Sequence, residues 1–411
     1  MDTITRRKFL VASGVAGGAA LAAGATAYGL RDILATAGDR DPAARTLVLV
    51  TLYGGNDGLN TVIPYTDPAY AAARPELAYE PGKILPLDDG LGLNPGLAGL
   101  HRLYGAGRLA VIRGVGYPKP DRSHFRSMDI WQTAQPERPG TTGWLGRWLD
   151  TAGGDPRLAV SFEPVLPPLL AGETSAGATV PGGVLKLPGG VTPALLGKLG
   201  APAAGESPAQ ARAAACFADL VRIQDLMKQV SEGTADEEDT DDEVPATATG
   251  GAAPPLDQQL ALVARCVEAG AATRVFSVSQ GGFDLHADAR ESQQAMLAKV
   301  DKPLAAFAER MAGKGVVIAV YSEFGRRVRA NASDGTDHGT ASSMFLLGDD
   351  IQGGLHGEQP SLTDLDDGDL KYTVDFRDVY ASLLAGVLDS DPQRILGGWS
   401  GRLEQVYRTN A

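Results

Sequence analysis

Cysteine and histidine are both scarce in this 411-residue chain, with two of the first and five of the second. Two cysteines, Cys216 and Cys266, exclude a disulfide framework and a cysteine-based zinc motif. A single bridge and a pair of buried free thiols both remain open, since each lies in a helix-like, alanine-rich stretch. Positive charge is in deficit as well. Lys and Arg number 37 against 50 Asp and Glu, a formal net charge of −13, which makes nucleic acid a poor partner. The chain has no Gly-x-Gly-x-x-Gly, no Walker loop and no Gly-x-Ser-x-Gly elbow. Nucleotide chemistry and the α/β-hydrolase mechanism therefore lose their usual signatures, and haem chemistry has no support. Aromatics are only 6%, but hydrophobic residues reach 44% and glycine is abundant. That balance describes an α/β protein with a real core and many tight turns.

The first 37 residues read as a leader rather than as fold. Thr5-Arg6-Arg7-Lys8-Phe9-Leu10 precedes a Gly/Ala-rich apolar run from Val11 to Leu30, with Ala-x-Ala sites at Ala25–Ala27 and Ala35–Ala37. Paired arginines followed by Phe and Leu resemble a twin-arginine signal. The expected partner is the twin-arginine export machinery, which carries folded and often cofactor-loaded proteins. The expected location is periplasmic, cell-surface or extracellular. A membrane is involved only if the leader is retained as an anchor.

Five short runs rich in Val, Ile and Leu read as buried parallel strands: 46–53, 108–115, 274–279, 316–321 and 343–347. Helical periodicity covers 292–312 and 372–387. The alternation predicts an α/β fold, a doubly wound, mostly parallel sheet flanked by helices, in one domain over 45–411. Residues 165–255 read as a Pro/Gly-rich insertion. It contains a helix over 208–230 and an acidic linker over 232–243.

Polar residues gather just beyond the strand-like runs, where ligands bind in open α/β sheets. Asp57, in Gly54-Gly-Asn-Asp-Gly58, reads as a metal carboxylate or as a turn residue. Ser123, between Arg122 and His124, reads as a nucleophile with Arg122 clamping an anion, or as a helix N-cap. Asp284, His286 and Asp288 form the strongest group, offering a two-ligand clip in extended or helical geometry. Glu323 follows an apolar strand and needs a metal or the nearby Arg326 or Arg327 as a partner. Arg326 could instead neutralise a phosphate or sulfate group. His338 reads as a ligand oriented by Asp337. Together these point to a divalent metal site.

The segments Leu52-Tyr-Gly-Gly-Asn-Asp-Gly-Leu-Asn-Thr61, Ser123-His-Phe-Arg-Ser-Met-Asp-Ile-Trp131, Gly281-Gly-Phe-Asp-Leu-His286, Ser322-Glu-Phe-Gly-Arg-Arg327 and Thr336-Asp-His-Gly-Thr-Ala341 carry a resemblance. With the leader, they resemble the exported bacterial proteins called domain-of-unknown-function family 1501. That family is similar to the alkaline phosphatase and sulfatase superfamily. The resemblance implies a doubly wound sheet with Asp57 as first metal carboxylate and Ser123 as nucleophile. It implies one ion on Asp284, His286 and His338, and a second, weaker ion on Asp57 and Glu323. Phe324 stands where the superfamily has a paired histidine, and Asp284-x-His286 replaces its wider Asp-x-x-x-His spacing.

The expectation is an exported hydrolase of small-molecule or polysaccharide phosphate or sulfate esters. It would carry one or two divalent ions, zinc first, with calcium, magnesium and manganese open. The alternative is a catalytically degenerate relative that binds an extracellular anionic ligand, polysaccharide or protein.

Overall fold

The structure, a computed structural model, describes residues 28–163, 165–180, 254–403 and 405–408. The twin-arginine motif, the helix over 208–230 with Cys216, and the acidic linker lie outside the described residues.

Among the described residues, nine strands form the main sheet: β1 (Thr46–Leu52), β2 (Leu109–Gly116), β3 (Ala159–Ser161), β4 (Ala178–Thr179), β5 (Val275–Gln280), β6 (Val316–Tyr321), β7 (Ser342–Leu347), β8 (Gly354–His356) and β9 (Val374–Asp375). Their order is β8-β2-β7-β6-β1-β5-β3-β4, with β9 also paired to β2. All seven residues of β1 are buried, because it sits at the centre of the sheet with a layer on each face. Its side chains divide by the period of two. Val48, Val50 and Leu52 join one core, and Leu47 and Leu49 join the other.

On the first face lie helices α1 (Ala98–Gly105), α4 (Leu256–Glu268) and α5 (Ala289–Arg310). Leu297, Val300, Leu304 and Phe307 bury one stripe of α5 there. On the second face lie α2 (His124–Thr133), α3 (Trp144–Thr151) and α6 (Phe376–Gly386), which supply Trp131, Trp144, Phe376 and Tyr380. Helices on both faces make the sheet doubly wound, as expected.

One expectation fails. β7 is antiparallel to both of its neighbours, β2 and β6, and is not a fifth parallel strand. The cause is the connection. A parallel return needs a crossover, usually helical, and residues 322–341 contain no helix. The chain leaves the carboxyl end of β6, loops over that edge and comes straight back. The loop therefore delivers His338 to the same edge as the ends of β1 and β5.

The helix expected over 372–387 begins later, at Phe376, because Val374–Asp375 pair with β2 first. Residues 165–180 supply the edge strand β4 and a short helical turn at Pro168–Leu170. Leu30 and Ile33 pack into the first core, and Tyr28 N–H donates to the Thr179 carbonyl. Cys266 is buried in α4 with its thiol free, and burial pushes its pKa up to about 12. No helix among the described residues is long and apolar enough to cross a membrane.

Candidate metal centre

Four loops meet above the carboxyl ends of β1, β5 and β6. The loop after β1 can enter because of its glycines. Gly54 and Gly55 have φ of +112° and +67°. A Cβ on Gly54 would lie 2.5 Å from Asp284 N, and one on Gly55 would strike the Phe324 ring. The His338 loop is laced to the Glu323 loop by backbone bonds, Gly325 N–H to Thr340 O and Arg327 N–H to Asp337 O. Helix α2 is pinned to the same loop where Ser127 donates to the Glu323 carbonyl.

His124, Asp284 and His338 each offer one ligand atom, and these atoms all lie within 4.8 Å of one another. Among the described residues this is the one such group of three or more. His124 Nε2 is 3.1 Å from His338 Nε2, and His286 Nε2 is also 3.1 Å from His338 Nε2. Asp284 Oδ1 lies 3.2 Å from His338 Nε2 and 2.9 Å from His286 Nε2.

The other ring nitrogens decide what these contacts mean. His338 Nδ1 is 2.8 Å from the Arg122 carbonyl, which can only accept, so Nδ1 carries the proton. His124 Nδ1 is 2.8 Å from Glu323 Oε1 and by the same logic donates to it. In the neutral rings both Nε2 atoms then present lone pairs to each other at hydrogen-bond distance. Such an arrangement repels unless a proton or a metal cation stands between them. Nitrogen and carboxylate donors of this type fit zinc and its transition-metal neighbours.

The surroundings favour positive charge. The Glu323 hydrogen bond raises the His124 pKa, with burial opposing it and the charges of Glu323 and Asp284 adding to it. For Asp284, burial works to raise the pKa, but the Arg326 hydrogen bond and charge overcome it and take it down to about 2.

The expected residues fall into three groups. Asp284, His286 and His338 are brought together. Glu323 stands one step out: it is buried, accepts from Gly54 N–H at 2.9 Å, and orients His124. Asp57, Arg122 and Arg326 do not take their expected places. Asp57 caps residues Gly58–Thr61 through one oxygen and pairs with buried Arg74 at 2.6 Å through the other. Arg122 is bound to Asp367 and Asp369. Arg326 is buried, with its guanidinium spent on carbonyls of Gly54, Gly55, Phe283 and Thr336 and on Asp284 at 2.7 Å. Neither arginine is free to neutralise a transferred group. Ser123 is exposed at the N-cap of α2, and no described residue hydrogen-bonds its hydroxyl. Asp288 is exposed at the start of α5 and outside the cluster.

His124 is the residue that sequence reasoning placed beside the nucleophile but not among the ligands. Phe324 packs its ring 4.9 Å from both His124 and His338 and so forms a wall of the cluster.

A family model described as "Protein of unknown function (DUF1501)" matches residues 109–410. The chain belongs to that family. The matched stretch contains His124, Asp284, His286 and His338, while Asp57 precedes it. Solved structures similar to the chain include the lipoteichoic acid synthase LtaP from Listeria monocytogenes, at 10% identity, with 92% of this chain and 80% of that one covered and a TM-score of 0.35. Another is BT1596, a 2-O GAG sulfatase, at 10% identity, with 75% and 65% covered and a TM-score of 0.29. No curated protein matches this family member.

Proposed function

We propose that the protein is an exported, metal-dependent hydrolase of phosphate or sulfate esters. The observation that carries this reading is the pair of facing Nε2 atoms, His124 and His338, 3.1 Å apart with both Nδ1 atoms already engaged. The metal would be held by His124, His338 and Asp284, with His286 on the flank. Imidazole-rich donors favour zinc, leave manganese open and disfavour calcium and magnesium, which take oxygen ligands. One ion is the reading the donors support, because Asp57 and Glu323 are committed elsewhere. When bound, the ion supplies electrostatic stabilisation to the anionic oxygens of the ester.

The chain's own residues do the rest. Glu323 and the Arg122 carbonyl fix the two imidazole tautomers, and Arg326 keeps Asp284 ionised. Ser123 offers an exposed hydroxyl next to His124 in the chain. Its oxygen would attack phosphorus or sulfur as the bond to the ester oxygen breaks, and its proton would leave with the alcohol. Water would then hydrolyse the seryl ester and restore the hydroxyl. Turnover of aryl phosphate and aryl sulfate esters by the metal-loaded protein tests this. Ser123→Ala should keep the metal and lose turnover, whereas a variant of unchanged rate removes Ser123 from the reaction.

The binding-module reading is favoured by one observation, the engagement of Arg122 and Arg326 with carboxylates and carbonyls. Metal-loaded protein that turns over none of the esters would support it.

Export through the twin-arginine route belongs to the same proposal. Cleavage after Ala37 would pull Leu30 and Ile33 out of the first core, so cleavage after Ala27 fits the packing. N-terminal sequencing of exported protein should read from Tyr28, and a Gly38 terminus would contradict this.

A further inference from the structure

A pocket of about 390 Å³ adjoins the cluster, with Phe324 as the shared wall. It lies between the segment that follows β2 and the hairpin over 365–370. Tyr117 and Trp131 line it from inside, both buried, while Tyr372 lines it and is 41% exposed. Its volume admits a ring together with its substituents. The phosphate or sulfate itself would sit on the cluster, so this space is left for the alcohol side of the ester.

Charge narrows the choice. The chain is strongly acidic, yet Lys119 and Lys371 both line the pocket against one carboxylate, Asp366. Lys371 pairs with Asp364. Lys119 is exposed and has no carboxylate partner among the described residues. It is held at φ +54° between Pro118 and Pro120, a left-handed conformation that non-glycine residues seldom adopt. The two prolines stiffen the segment that presents its ammonium group. Aromatic walls suit the face of a ring, and an unpaired ammonium suits an anion.

We infer that this pocket binds the alcohol portion of the substrate, and that this portion is a ring carrying its own negative charge. The assignment rests on the hydrolase reading for the word "alcohol", but binding of the ring anion does not need the metal. An aromatic acid and an acidic sugar share the required chemistry.

Calorimetry on the metal-stripped full chain tests it, with 4-hydroxybenzoate and glucuronate as ring anions and phenol and glucose as their neutral counterparts. At least one ring anion should bind one per chain, about 10-fold tighter than its neutral counterpart. Lys119→Ala and Tyr372→Ala, both at exposed positions, should each weaken it about 5-fold or more at unchanged Tm. Preference for 4-hydroxybenzoate identifies an aryl ester, and preference for glucuronate an acidic sugar ester. Ring anions that bind no better than neutral rings, or variants that bind like wild type, overturn the proposal. Ring-anion binding without metal uptake or ester turnover would sink the hydrolase and leave the pocket. Turnover without ring-anion binding would do the reverse.

Discussion

Two layers of charged side chains lie at the carboxyl edge of the sheet, and they are built on opposite terms. In the lower layer every charge has its partner. Asp57 meets Arg74 and two backbone N–H groups, and Arg326 meets four carbonyls and Asp284. In the upper layer, His338 Nε2 lies 3.1 Å from the Nε2 atoms of both His124 and His286, and the neutral His124 and His338 rings turn lone pairs toward each other. A satisfied layer holds a shape, and facing lone pairs are the arrangement that the proposed cation would relieve. Substitution below should therefore cost folding stability, and substitution above should cost metal.

The largest effect expected is below. Asp57→Ala strands the buried Arg74 charge and should destabilise the metal-free protein by about 3–5 kcal/mol in urea unfolding. If it still folds, it should keep its full metal content. Lost metal in a folded Asp57→Ala protein would erase the distinction between the layers.

Glu163 sharpens the same contrast by pH. It is wholly buried beside the Tyr53 hydroxyl, and burial lifts its pKa from 4.5 to about 7 with Tyr53 opposing. The native state thus keeps a proton that the unfolded chain has already released. Stability should fall as pH rises through this window, by roughly 3 kcal/mol in all. Glu163→Gln should remove that slope, matching wild type near about pH 4 and exceeding it above pH 7 by about the same amount. Parallel pH profiles for the two proteins would refute the assignment.

The smallest effect lies between the layers. Glu323→Gln weakens the grip on His124 and should lower metal affinity about 10-fold or more in chelator competition. A change in stability at constant affinity would move Glu323 into the lower layer.

Much of the fold was legible because central strands are unbroken apolar runs. Residues 46–52 and 316–321 are buried throughout, and 275–280 are buried in all but the last position. Strand direction leaves no such mark on composition. For β7 the only sign was the missing helical pattern between 321 and 342. The site was half legible. Asp284, His286 and His338 lie in short loops whose polarity has no local explanation. The roles of Asp57 and Arg326 depended on Arg74, 17 residues from Asp57, and on carbonyls from three other loops, none of which a motif displays. His124 was hidden by its neighbour, since Ser123 accounted for the segment equally well as nucleophile or helix cap.

The most direct test of the central claim is the metal content of the purified full chain beside a His124→Ala/His338→Ala variant, each after reconstitution with zinc. The account predicts about one equivalent in the wild type, none in the variant, and closely similar metal-free Tm values. Wild type without metal, or a variant that retains it, would contradict the account.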